Sequence, residues 1–275
     1  QGIYEESAAI AARIFGTAGS QTLSIRHNLA DMYRQRGEVE RAEALFREVL
    51  DHRLRVIGEE HADTLLTMQN LAALLGQTRR FDEAGKWLGR AMKQIERMPT
   101  ESPLRLDLLR TQGLNWLGLG TPLRADPVYV EAAALSSQIN GSNHASTLEM
   151  LRHRARCALE LNRLAEAEEL ITGVLDAERR AQLSEKELLP SENVLAQILL
   201  AAGNLDKAAA AIERTRKIVD EAPARTDPEV LVALSNQGAL LRARGEWEEA
   251  ERLFRNVLEA RRARFSAQHP HVFRS

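Results

Sequence analysis

Six alanines recur along this chain at nearly constant spacing: Ala42, Ala84, Ala125, Ala167, Ala208 and Ala250, separated by 42, 41, 42, 41 and 42 residues. A period of this length means that one supersecondary unit is repeated. Such a unit buries one face against its neighbours, so the chain grows along an axis instead of closing around a single core. At 275 residues, two globular domains would otherwise be the natural expectation. Composition decides which unit is repeated. Apolar residues make up 44% of the chain and aromatics only 4%, with alanine, leucine, glutamate and arginine prominent. These side chains lose little freedom in a helix, so the unit is a helical hairpin and sheet is not expected.

The rest of the register follows the alanines. The first helix of each hairpin carries a small residue at Ala30, Ala72, Gly113, Ala155, Ala196 and Gly238, and a bulkier or apolar one three positions later, from Tyr33 to Leu241. A turn follows at Gly37, Arg79, Gly120, Asn162, Gly203 and Gly245. Glycine or asparagine there suits a left-handed helix cap, and Arg79 is the exception. The second helix runs through the phased alanine to Phe46, Leu88, Tyr129, Ile171, Ile212 and Phe254. Two antiparallel helices approach closely only where one side is small, and large side chains fill the space beside the crossing. Ser102-Pro103 and Asp227-Pro228 mark helix starts, with a capping residue before a first-turn proline. Asp126-Pro127 breaks the rule. It falls where the third second helix should already run, so that helix is expected to begin late, capped by Asp126, and to be short or displaced, with altered curvature.

The linkers also repeat: Gly58-Glu-Glu-His61-Ala-Asp-Thr64, Gly141-Ser-Asn-His144-Ala-Ser-Thr147, Ser266-Ala-Gln-His269-Pro-His271, and a weaker version over Gly16–Thr22. With stretches such as Asn28-Leu-Ala30, Tyr33, Gly37 and Glu40-Arg-Ala42-Glu-Ala-Leu45-Phe46, echoed by Asn70-Leu-Ala72, Phe81-Asp-Glu-Ala84 and Gly245-Glu-Trp-Glu-Glu-Ala250, the chain resembles the tetratricopeptide repeat family in its kinesin-light-chain-like class. The likeness is poorer over 105–146 and 188–229. It implies an all-α, right-handed α-solenoid of antiparallel helix hairpins: one array over 1–275, with 1–21 the second helix of a truncated repeat and six repeats at 22–63, 64–104, 105–146, 147–187, 188–229 and 230–271. The pattern is cut at both ends, so an excerpt from a longer protein is expected.

Several chemistries are disfavoured. A net charge of −2 draws the chain toward neither nucleic acid nor an anionic membrane, and no apolar run is long enough to insert into a bilayer. The composition suits the cytoplasm, and the periplasm equally. Cys157 is the only cysteine and falls on the packed side of its helix, as a small core residue and not a nucleophile. There is no phosphate loop, nucleophile elbow or zinc motif, so neither an enzyme nor a cofactor or metal site is expected. His61, His144 and His269 recur too far apart to share a metal and read as structural linker residues. Trp87, Trp116 and Trp247 read as core filling, and the Glu/Arg runs of the second helices as solvated faces.

The family resemblance implies that the first helices line a peptide-binding groove, in which an asparagine before the conserved leucine reaches the ligand. Asn28, Asn70 and Asn236 match it; Thr111, His153 and Val194 depart from it, with Asn193 adjacent. An asparagine amide both donates and accepts, so it can bond an extended backbone, or else bond within the helices or to water. Gln69 and Gln197 join the candidate groove. The charges are Asp31, Arg34, Arg110, Arg152, Arg156 and Arg242, with Arg110, Arg152, His153 and Arg156 as a central basic cluster able to clamp a carboxylate or phosphate unless Glu149 and Glu160 neutralise it. The expected partner is a protein or peptide, with an acidic one favoured by the cluster. Alternatives are a sensor or autoinhibitory region of a larger signalling protein, and a scaffold that associates with copies of itself.

Overall fold

The computed structural model describes residues 2–17, 19–97, 102–221 and 227–268. Among them the chain forms thirteen helices and no strand: α1 (Gly2–Phe15), α2 (Ser20–Gln35), α3 (Val39–Val56), α4 (Ala62–Gln77), α5 (Phe81–Ile95), α6 (Pro103–Gly118), α7 (Pro122–Asn140), α8 (Ala145–Glu160), α9 (Leu164–Arg180), α10 (Glu185–Ala201), α11 (Leu205–Glu221), α12 (Pro228–Ala243) and α13 (Trp247–Gln268). They form two compact units, divided between Val128 and Tyr129 within α7. In the first, the hairpin α2–α3 packs on α4–α5, α1 on α2, and α4 and α5 on α6. In the second, α8–α9, α10–α11 and α12–α13 pack in the same manner, each first helix against the next.

Each phased alanine is the fourth residue of its second helix, and all six are buried, five of them completely. Its amide closes the first helical turn, as in Ala42 N–H to the Glu38 carbonyl at 3.0 Å. The crossing partners Ala30, Ala72, Ala155 and Ala196 are buried too. Gly238 shows why the position must be small: a Cβ there would stand 2.9 Å from the Phe254 ring.

All six hairpin turns have one geometry. Gly37, Arg79, Gly120, Asn162, Gly203 and Gly245 all have φ between 58° and 82°. The next residue donates back across the turn, for example Glu38 N–H to Tyr33 O at 2.9 Å and Arg163 N–H to Ala158 O at 2.8 Å. This satisfies carbonyls that a helix end leaves bare. Arg79, exceptional in residue type, is not exceptional in shape: its φ is 61°.

The linkers repeat as faithfully. Thr22, Thr64 and Thr147 are buried and donate to Gly16, Gly58 and Gly141 carbonyls at 2.8–2.9 Å. Those glycines have φ of 78°, 84° and 100°. His61 and His144 cap the helices that follow them, each Nδ1 accepting from the amide two residues on at 3.2 Å. Asp227 caps α12 through the Glu229 amide, whereas Ser102 precedes Pro103 without a side-chain cap bond. His269-Pro270-His271 lies outside the described residues, and Ser266–Gln268 belong to α13 instead of opening a linker.

Two expectations are corrected. The helix through Pro127 does not begin late: α7 starts at Pro122 and spans 19 residues, with Pro127 inside it. Proline deprives the Leu123 carbonyl of its helical donor, at a cost of about 3 kcal/mol. Both residues face solvent, so water can reach that carbonyl. A late start would instead have lost the buried contacts of Ala125 and Tyr129, both fully enclosed. Trp247 is not core: its side chain is 62% exposed, whereas Trp87 and Trp116 are partly buried and carry the guanidinium groups of Arg90 and Arg124 over their rings.

Arg79→Gly removes the cost of a left-handed conformation from a residue with a Cβ. It is expected to raise stability by about 1 kcal/mol, read as a shift of the urea midpoint at unchanged slope.

Candidate functional site

The first helices meet one another through a ladder of polar side chains. Asn70 Nδ2 lies 3.0 Å from His27 Nε2. Gln69 Nε2 donates to Thr111 Oγ1 at 2.9 Å, and Asn236 Nδ2 to the Asn193 carbonyl at 3.1 Å. Asn193 Nδ2 in turn donates to the Glu229 carbonyl and carboxylate, both at 3.0 Å. Every rung joins residues one repeat apart or close to it. Asparagine is therefore used differently from the expectation: Asn70, Asn193 and Asn236 spend an amide N–H holding adjacent first helices together. Asn28 is exposed and takes no part.

A second polar column lies eleven residues beyond the phased alanine, at Arg53, Ser136 and Glu178, with Ile95 and Val219 at the equivalent places. Each polar member is buried and reaches the following first helix. Arg53 donates to Thr67 Oγ1 at 2.7 Å and to the Asp63 carbonyl at 2.8 Å. Ser136 pairs with Ser146 and Thr147 at 2.8 and 2.9 Å. Glu178 accepts from Ser191 at 2.9 Å and from Arg152 at 3.2 Å. Burial pushes the Glu178 carboxyl up, against the opposing pull of Ser191 and Arg152, and its Oε2 has no hydrogen-bond partner among the described residues. Sequence reasoning missed this column. Its signal was a mixture of polar and apolar residues at one register position.

His27 joins ladder and column. Thr67 Oγ1 donates to the Asp63 carbonyl at 2.8 Å and accepts from Arg53, leaving one lone pair for His27 Nδ1–H at 3.3 Å. Nε2 is then the acceptor for Asn70. A second proton on the ring would face the Asn70 amide. Burial first, and the Arg53 charge second, lower the His27 pKa to about 4.

Two clefts open along the first helices, one in each unit. In the first, about 390 Å³, Arg34, Gln69, Asn70, Arg110 and Thr111 share the lining with Leu114 and the buried amide of Asn115. Arg34 pairs with Asp31 at 2.7 Å and Arg110 with Asp107 at 3.3 Å. In the second, about 280 Å³, Arg152, His153, Arg156, Asn193 and Gln197 join Glu149 and Glu229 over a Val194–Val232 floor. His153 stacks on Tyr129 with ring centroids 5.0 Å apart and lies 3.7 Å from Glu149. Burial lowers its pKa, helped by Arg156 and Arg152 and opposed by Glu149. Ten of the fourteen expected groove residues thus line one cleft or the other. Asn28, Asp31 and Asn236 do not, and Arg242 lies apart, beside Trp247 and Phe254.

The expected arginine clamp is also revised. Arg110 belongs to the first unit and Arg152, His153 and Arg156 to the second. The carboxylate that engages Arg152 is Glu178, not Glu149 or Glu160. Arg156 is exposed and makes no ion pair among the described residues.

A family model for the tetratricopeptide repeat matches residues 1–55, 21–97 and 187–263, more than half of the chain. The chain belongs to the tetratricopeptide repeat family. Repeats of this family generally serve protein–protein interaction and are generally not enzymes. A tetratricopeptide repeat protein from Parabacteroides merdae ATCC 43184 is 16% identical, with 94% of this chain and 85% of that one covered, at a TM-score of 0.66. BtubC (BKLC) from P. vanneervenii is 21% identical, with 78% and 86% covered, at 0.64. A Rap protein complexed with Competence and Sporulation Factor is 17% identical, with 90% and 67% covered, at 0.61. These likenesses bear out the repeat fold. No curated protein matches the chain. Among the described residues, no helix of this repeat array is long and apolar enough to cross a membrane.

Two predictions follow from the buried polar groups. The His27 pKa is about 4 in the folded chain and 6.5 in the unfolded one, so the unfolded state binds more protons between these values. Stability from this group is complete above pH 6.5 and lost as pH falls toward 4, by up to about 3 kcal/mol. Urea titrations across that window should show a shallower pH dependence in His27→Gln. Arg152→Ala strands the buried Glu178 carboxylate and should cost about 2–3 kcal/mol, somewhat below a fully buried pair because the guanidinium is partly exposed. Arg156→Ala should change the same melting measurement by less than about 0.5 kcal/mol.

Proposed function

We propose that this chain is a non-enzymatic interaction module that takes an extended or short helical segment of a partner protein along its first helices. The supporting observation is the pair of clefts. Both lie where consecutive first helices meet, and both are lined by charged and amide side chains above an apolar floor. The ladder fixes the walls in place, so little order has to be gained on binding. In the second cleft Arg156 supplies a cation with no ion-pair partner among the described residues, and Gln197, on the same lining, is both donor and acceptor. An acidic group of the partner suits Arg156, while Glu149 and Glu229 favour a basic or amide group at the other end of the same cleft. Arg34, Asn70, Arg110 and Thr111 offer the corresponding contacts in the first unit.

The test is a selection of displayed random dodecapeptides on the immobilised full chain, followed by titration of an enriched peptide. Arg156→Glu should weaken binding at least tenfold without lowering the melting temperature, and binding should fade as salt rises. Arg152 is unsuited to this test because its removal disturbs the fold. Enrichment of no peptide, or an affinity indifferent to both Arg156→Glu and Gln197→Ala, overturns the proposal.

A further inference from the structure

Two ionic straps close the flank of the α4–α5 hairpin. Arg90 reaches back to Glu59 of the preceding linker at 2.9 Å, and Arg97 pairs with Glu60 beside it. The equivalent places in α8–α9 lie 83 residues further along. There Gly173 stands for Arg90 and Ser142 for Glu59, while Arg180 stands for Arg97 and Asn143 for Glu60. The first strap has lost both partners, and the second has kept its cation and lost its carboxylate. Bulk is lost as well, since Leu170 takes the place of Trp87, whose ring lies under Arg90. Other hairpins keep a strap at the Gly173 position: Glu48 pairs with Arg26, and Arg214 with Glu192 at 2.8 Å. The result is a groove of about 470 Å³ along α8 and α9, with Ser142, Asn143, Gly173 and Arg180 all on its lining and Leu148, Leu151 and Leu170 beneath. Packing does not require glycine at 173. It lies inside α9, where glycine weakens a helix relative to alanine, and a Cβ there would meet no atom within 4 Å. Arg180 is exposed and makes no ion pair among the described residues.

We propose that this opened flank docks a segment of a partner protein, at a second site that shares no lining residue with either cleft of the first helices. The segment lays an apolar side chain over Gly173 and gives Arg180 the carboxylate that Glu60 gives Arg97 in the strapped hairpin. A charge-assisted bond of this kind fixes the segment's register, and the leucines beneath supply the apolar contact. Glu169 is exposed on the same lining. It precedes Arg180 by three helical turns and so shares its face of α9. It takes a basic residue at the segment's other end. The helical rise sets the two charges about 16 Å apart, a span that an extended chain covers in about five residues. The segment therefore reads basic, apolar, acidic, in a stretch of that length.

Rebuilding the straps provides the control. A full chain carrying Gly173→Arg, Ser142→Glu and Asn143→Glu should melt no lower than the wild type. Displayed random dodecapeptides that bind this strapped chain are discarded, and the remainder are selected on the wild type, which separates the flank from the clefts. The survivors should place leucine, methionine or phenylalanine between a basic and an acidic residue. In titrations, Arg180→Glu should weaken them at least about tenfold at an unchanged melting temperature, whereas Arg156→Glu should leave their affinity unchanged. The proposal fails if no peptide survives the subtraction, or if the survivors bind the Arg180→Glu chain as tightly as the wild type.

Discussion

The close approach of two helices at a side chain no larger than a methyl group is the constraint on which the rest depends. At each crossing the phased alanine is sealed from solvent, and its own amide closes the first turn of the helix that carries it. The tight six-residue turn before it leaves no slack: its carbonyl bonds are satisfied only if one residue takes a positive φ. Crossing and turn therefore fix each other. Arg79 bears this out, because an arginine takes the strained conformation instead of the hairpin changing shape. Pro127 does so from the other side, since α7 keeps its start and gives up one hydrogen bond to hold Ala125 and Tyr129 in register.

Between hairpins the constraint is of another kind. Apolar burial does not by itself specify which helix lies beside which. The polar ladder and the polar column do, because a buried donor or acceptor that misses its partner costs about 1–3 kcal/mol. His27 shows how tightly such groups are assigned. Its two nitrogens, the Thr67 hydroxyl and the Asn70 amide leave room for a single arrangement of protons, and that arrangement holds the ring neutral. The same network that fixes the walls of the clefts takes up groups that would otherwise have been offered to a ligand.

The hairpins, turns and linker caps were legible in the sequence because each rests on local residue chemistry that recurs, six times in the hairpins and turns and three in the linkers. The site was legible only in part. The residues that line the clefts could be found by counting along the first helices. The use each amide is put to could not, since it depends on a side chain some 42 residues away and on which lone pairs are already taken. Asn70 and Asn193 illustrate this. Glu178 was overlooked because a lone glutamate in a second helix reads as surface until its burial is seen. Trp247 differs the other way: the count along the helix puts it at or beside a packing position, yet it stands 62% exposed.

The mixed column has a consequence for how such a chain can change over time. Arg53, Ile95, Ser136, Glu178 and Val219 occupy one architectural place but offer a cation, a hydrocarbon, a hydroxyl, an anion and a second hydrocarbon to the next helix in line. The three polar joints each meet matching groups on their own successor. The units resemble one another as keys cut from the same blank do, so duplication or loss of a single hairpin would set a charge against a lock that does not fit it, and the order of the hairpins becomes something selection can hold.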